Sequence, residues 1–469
     1  MVKCAERTNA IIRNSHEVRI SLLQSQKYHC ANGAISLSQS ENITAPTVQY
    51  HCDKVAIYMD NYIVSNHNHT IVGIDRGDTV AFFGIKYAEA ERFQKPVLKN
   101  LEKHTEAVAY GNCCAQSRQF FDESKSKKKM DLFYYREFRE GLRFKYGEDC
   151  LNLNIYAPKG KKNLPVLLYI HGGAFVICSS DEKPFDGQYI AKEDVICVCA
   201  NYRLNVFGYY SDEKTSNLAF YDMICAIEWV KNNIAEFGGN PDSITLMGQS
   251  AGAISLQNLI LLPKVKETIK GAIMLSGGAT VSGIFAPKSK KRAIRFFKRV
   301  KNDLKKRGED ILTADYRDVF LAWNRQTKKN LALSMLSTMP VFDGEIVRKD
   351  LYKNAYKDEQ VPCIVSVTKD DLLKGYLENC AQKWRKNANG KTWLTHFYHD
   401  LPGDDMGAYH SCDLWYIFGL EQHGWRKFDE KDYAIATELR KRYCAFVRNQ
   451  DPNCDGYPEW KEGDVLTLK

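Results

Sequence analysis

Apolar and polar positions follow two alternating rhythms along this chain. Continuous apolar runs at residues 164–170, 195–199, 244–247 and 271–275 read as strands buried on both faces. Between them, residues 221–234 carry apolar positions at helical spacing, and residues 253–259 open a second helix. This β-α-β-α order predicts an α/β protein with a large, mostly parallel sheet flanked by helices. Further strands are expected at residues 361–367 and 393–398, followed by an apolar segment at 414–418. Residues 288–307 read as an amphipathic helix, with Ile294, Phe297, Val300 and Leu304 on one face and lysines and arginines opposite. Neither an internal repeat nor a glycine- or serine-rich linker interrupts the pattern. The expected organisation is an N-terminal extension of uncertain order at 1–54 and one catalytic domain at 55–469.

Composition narrows the classes. The chain has 469 residues with a hydrophobic fraction of 44%, ordinary for a folded enzyme. The formal charge of +9 gathers largely at residues 125–129 and 288–307. A lysine-rich surface loop and a solvated helix face account for both, so neither nucleic acid nor membrane is expected as a partner. The polar first segment holds no apolar stretch of secretory-signal type, and no window suits a spanning helix. The 15 cysteines are odd in number, and several, such as Cys197, Cys199 and Cys363, fall in core-like strands. A reduced, cytoplasmic chain is the expectation, which leaves the sequons at Asn42 and Asn68 silent.

The candidate chemistry centres on Gly248-Gln249-Ser250-Ala251-Gly252. A G-x-S-x-G between a strand and a helix lifts the serine out of the sheet with its hydroxyl exposed. The helix amino terminus then aims N–H groups at negative charge forming beside it. Upstream by 79 residues, His171-Gly172-Gly173-Ala174 follows an apolar strand. Open N–H groups on such a loop can hold the oxyanion made when serine attacks a carbonyl, each donor contributing about 3–4 kcal/mol. Gly173 and Ala174 are the expected donors, with Ala251 as the third.

A serine needs a base, and the hydrolase order is serine, acid, histidine. Only His396, His399, His410 and His423 follow Ser250. His396 and His399 belong to an expected strand and read as structural, and His423 lies in a polar stretch. His410 occupies a loop entering an apolar segment, and its placement makes it the expected base. Residues 361–367 form the strand that should carry the acid, and Asp370 and Asp371 follow it. Spacing alone does not choose between them.

Several segments, in order, resemble the type-B carboxylesterase family, the group that contains cholinesterases and bacterial para-nitrobenzyl esterases. Phe82-Phe83-Gly84-Ile85-Lys86-Tyr87-Ala88 resembles its early F-x-G-I-P-Y-A, and Glu148-Asp149-Cys150-Leu151-Asn152-Leu153-Asn154 its E-D-C-L-x-L-N. Asn201-Tyr202-Arg203-Leu204, Phe237-Gly238-Gly239-Asn240-Pro241 and Met339-Pro340-Val341-Phe342-Asp343-Gly344 continue the series, and residues 410–418 resemble its histidine loop. The resemblance implies an α/β-hydrolase fold, Ser250 as nucleophile, Asp371 as acid and His410 as base. It implies a small-molecule ester substrate and no cofactor or metal. It also implies a pocket-covering helical region at about 285–340 and, in secreted relatives, a disulfide between a cysteine near Cys113 or Cys114 and one at Cys150. The chain departs from the pattern in places. Gln249 stands for the usual glutamate, Ala174 for a glycine, Asp371 for glutamate, and Leu372 for the glycine after the acid. The 39 residues from Asp371 to His410 are about half the family's usual gap, which implies a wider or shallower pocket.

The expected reaction is hydrolysis of carboxylic esters through an acyl-enzyme. The alternatives carried with it are a non-catalytic, cholinesterase-like binding or adhesion protein and a lipase or amidase on the same triad. Oligomeric state and natural substrate are not legible.

Overall fold

The expected strands lie side by side in one sheet in the computed structural model, which describes residues 48–52, 55–59, 61–66, 68–280, 282–329, 338–358, 361–373, 375–420 and 424–469. Residues 1–47, with Asn42, and His423 fall outside the described residues. Two compact units divide between Met59 and Asp60. The first is described at Val48–Cys52 and Val55–Met59, which pair as an antiparallel hairpin.

The second unit is built on β1 (Asn61–Ser65), β2 (Thr70–Asp75), β3 (Thr79–Lys86), β4 (Asn152–Pro158), β5 (Leu164–Ile170) and β6 (Ile196–Ala200). The sheet continues with β7 (Gly239–Gln249), β8 (Gly271–Leu275), β9 (Cys363–Thr368), β10 (Thr392–Phe397) and β11 (Val465–Leu468). Its order is β11-β10-β9-β8-β7-β5-β6-β4-β3-β2-β1. From β6 to β11 every pairing is parallel. β4 runs antiparallel to both β6 and β3, and β1 to β3 continue antiparallel. All residues of β6, β8, β9 and β10 are buried, which is why β6 and β8 read as unbroken apolar runs, while β9 and β10 also bury Ser366, Thr368, Thr392, Thr395 and His396.

The helices include α1 (Lys129–Phe138), α2 (Leu218–Asn233), α3 (Ala251–Leu259), α4 (Lys290–Lys305), α5 (Tyr316–Lys328), α6 (Tyr376–Asn387), α7 (Asp413–Phe418) and α8 (Glu430–Asn449). α4 buries Ile294, Phe297, Val300 and Leu304, the stripe its sequence predicts, and packs against α5. Its basic residues stay on the outer face, as desolvating them without partners would be costly. Among the described residues no helix is long and apolar enough to cross a membrane. Cys113, Cys114 and Cys150 are buried free thiols, so the pairing seen in secreted relatives is not made.

Register brings the site together. Ile170 of β5 pairs with Gly248 of β7, Gln249 with Leu275 of β8, and Leu275 with Ser366 of β9. The loops after these strands therefore leave the sheet at one edge, the carboxyl edge where α/β sheets bind ligands. Behind that edge, an ion pair ties α2 to the segment after β6. Asp222 Oδ1 accepts from Arg203 Nη2 at 2.6 Å, and Oδ2 accepts from Arg203 Nε at 2.9 Å and Arg203 N at 3.1 Å. Asp222 is fully buried, so removing it strands a guanidinium in the core. Asp222→Ala is expected to lower unfolding free energy by about 3–5 kcal/mol, read from urea denaturation. A loss below about 1 kcal/mol would show the pair to be energetically idle.

Candidate active site

Ser250 occupies the turn between β7 and α3 with φ 53° and ψ −119°, a conformation that an L-residue adopts only under constraint. Two contacts supply the constraint. Ser250 N donates to Leu275 O at 2.8 Å, which holds the turn to β8. On the far side, α3 approaches β5 so closely that a Cβ on Gly252 would lie 2.1 Å from Ile170 O. Only glycine permits that approach, and a side chain there would push the helix off the sheet.

The segment after β5 forms the facing wall. Gly173 and Ala174 have φ of 98° and 53°. Asn205 clamps this loop, its N donating to Phe175 O at 2.8 Å and its Nδ2 to Ala115 O at 2.7 Å. Among the described residues the N–H groups of Gly173 and Ala174 make no hydrogen bond, and that of Ala251 starts α3 without an intrahelical partner. His171, just before, stacks on Tyr202 with centroids 4.5 Å apart. Burial lowers its pKa to about 4, so this imidazole is neutral near pH 7 and structural.

The two candidate acids take different tasks. Asp370 clips the histidine loop: its N donates to Ala408 O at 3.0 Å and its Oδ2 accepts from Ala408 N at 3.1 Å. Asp371 instead meets the imidazole, with Oδ1 2.6 Å from His410 Nδ1. Leu372 N donates to Oδ1 at 2.8 Å and Thr368 N to Oδ2 at 3.2 Å. Burial pushes the Asp371 carboxyl up, but the hydrogen bond and charge of His410 outweigh it and hold it below its ordinary value. The carboxylate therefore accepts, and Nδ1 donates to it. The short path from Asp371 to His410 still closes, because the clip at Asp370 and Ala408 fixes the loop two residues before His410.

Ser250, His410, Gly173, Ala174 and Leu372 line one cavity of about 500 Å³. Residues 117–121 and α1 supply much of its aromatic wall, notably Phe121, Tyr134 and Phe138. No described residue in 285–340 lines it. The Nε2 of His410 faces Gln249 Nε2 at 3.1 Å; among the described residues Ser250 Oγ makes no hydrogen bond. His396 is buried in β10 and stacks on Tyr398, and His399 Nε2 lies 2.8 Å from Asp432 Oδ1; neither lines this cavity.

Two contributors escape sequence reading. Gln249 reads as a bystander beside the serine, yet it touches the imidazole. Glu137 of α1 is fully buried and accepts from Tyr409 OH at 2.8 Å, Trp415 Nε1 at 3.2 Å and Arg426 Nε at 3.0 Å. It thereby fastens the residue before His410 to the cavity wall. An acidic residue amid the aromatics of 130–138 was the available signal, without a partner to interpret it.

A family model described as the carboxylesterase family matches residues 63–383 and 376–465. The para-nitrobenzyl esterase of Bacillus subtilis (strain 168) is 34% identical over 233 residues, 47% of this chain and 45% of that protein. Carboxylesterase 5A of Mus musculus is 40% identical over 223 residues, 43% of this chain and 36% of that protein. The matched stretch thus spans less than half the length of these curated relatives. A solved esterase from the anaerobe Clostridium hathewayi, which can hydrolyse aliphatic aromatic polyesters, superposes with TM-score 0.71 at 22% identity. That superposition covers 90% of this chain and 96% of the other, and shows the shared α/β-hydrolase fold.

A second buried carboxylate, Asp413, feels the charges of both Asp371 and His410. Burial first, and the charge of Asp371 second, push Asp413 up to about 7. Unfolded, this group ionises near 4. Between those values the folded chain holds a proton that the unfolded chain has lost, so stability falls as pH rises through the window. Asp413→Asn removes the titration. Urea midpoints at pH 4.5 and 7.5 should show the wild type losing about 3 kcal/mol relative to the variant. Parallel behaviour of the two proteins would contradict this burial.

Proposed function

The chain belongs to the carboxylesterase family, and from that premise we propose that it hydrolyses carboxylic esters of small molecules with Ser250, Asp371 and His410 as its triad. The observation that carries the reading is the 2.6 Å contact between Asp371 Oδ1 and His410 Nδ1, on a cavity shared with a serine in a strained strand-to-helix turn. Asp371 keeps the proton on Nδ1, which leaves the Nε2 lone pair to act as base. His410 takes the Ser250 proton as Oγ attacks the ester carbonyl. The oxyanion is held by the N–H groups of Gly173 and Ala174 on the loop after β5 and of Ala251 directly after the serine. His410 returns the proton to the departing alcohol, and water then repeats the sequence on the acyl-enzyme. The curated relatives named above, a para-nitrobenzyl esterase and a carboxylesterase, support this reaction class.

The pocket supports a compact, partly aromatic ester. A cavity of about 500 Å³ with Phe121, Tyr134 and Phe138 on its wall offers apolar area and flat faces. Leu372, where the family usually has glycine, lies 48% exposed and narrows the space beside the acid.

Hydrolysis of a short-chain para-nitrophenyl ester tests the reading. Ser250→Ala should abolish turnover above background, and Asp371→Asn should lower kcat by about 10²–10⁴. Asp370→Asn should cost far less, because that residue holds the loop and not the ring. Equal rates for wild type and Ser250→Ala would remove the esterase reading, and a larger loss at Asp370 would move the acid by one position.

A further inference from the structure

The base is already occupied. His410 Nδ1 donates to an acceptor-only carboxylate, so in the neutral ring Nε2 carries the lone pair. The group facing that lone pair is the side-chain amide of Gln249, with Nε2 to Nε2 at 3.1 Å. An amide nitrogen is a donor, so Gln249 holds the site that must accept the Ser250 proton. The main chain of Gln249 is fixed in β7, paired with Leu275 of β8, so any release is a movement of its side chain alone. Gly172, at the start of the loop that carries Gly173 and Ala174, leaves room for it. A Cβ there would lie 2.5 Å from Gln249 Oε1.

We propose that Gln249 is a positioning residue that latches the general base, its amide capping His410 Nε2 in the resting chain and swinging aside before Ser250 can transfer its proton. The inference rests on the triad reading above and deepens it. The latch keeps the ring in the tautomer and orientation that Asp371 selects, and it competes with the serine for one lone pair. Binding of an ester in the cavity displaces the amide, because Gln249 lines the same space as Ser250 and His410. A side chain of equal length without a donor lifts the competition while filling the same volume.

Gln249→Met is that variant. A neutral hydrogen bond biases an equilibrium by about two- to tenfold, so kcat/KM and the single-turnover acylation rate should rise by about that factor. Damage to packing alone would lower both, so a rise separates a latch from a structural prop. A second measurement needs no substrate. In the full-length chain labelled with ¹⁵N-histidine, the Nε2 resonance of His410, assigned by its loss in His410→Gln, should move toward the position of an unbonded ring nitrogen in Gln249→Met. An unchanged or lower acylation rate overturns the latch, as does a resonance that does not move. If Ser250→Ala shows no loss of turnover, the triad reading fails separately and the nitrogen resonance alone decides the contact.

Discussion

The site depends on the contact between α3 and β5 at Gly252. With Ile170 O directly against it, the helix seats on the sheet at a distance that no side chain allows. That seat drives the backbone of Ser250 into φ 53° and lifts its hydroxyl clear of β7. Parallel pairing then does the rest. Since β5, β7, β8 and β9 end in register, the loop of Gly173 and Ala174, Ser250 and Asp371 arrive at one edge without long connecting loops. A strained turn of this kind persists only where its surroundings over-determine it, and here both flanking strands and the helix do so.

The electrostatics show a division of labour among neighbouring carboxylates. Asp371 is buried but answered by His410 and by main-chain N–H groups, which keeps it ionised. Asp413 is buried with less to answer it and shares the field of Asp371, which keeps it protonated toward neutrality. Asp370, one residue before Asp371, spends its carboxylate on the main chain of the loop that carries His410. Similar side chains thus hold a ring, resist ionisation or clip a loop according to what surrounds them.

Much of this was legible in the chain. The central parallel strands announce themselves because burial on both faces favours apolar residues at most positions, and Ser250 is marked by the strand and helix that flank it. The amphipathic stripe of α4 is read off its spacing. The edge strand β1 carries no such signature, because it mixes half-buried and exposed positions. Spacing left Asp370 and Asp371 open, because successive residues after a strand point in different directions and only the folded loop shows which reaches the ring. The aromatic wall of α1 and the grip of Glu137 on Tyr409 were not legible, since those two residues stand 272 positions apart. Gln249 was hidden for another reason. Its role comes from a side-chain rotamer, which no periodicity records.

The most direct measurement of the central claim is the intact mass of the chain after reaction with a fluorophosphonate, followed by peptide mapping. One adduct per chain is expected, on Ser250, forming at a rate that drops when His410 is replaced by Gln. No adduct, an adduct on another residue, or labelling indifferent to His410 would contradict it.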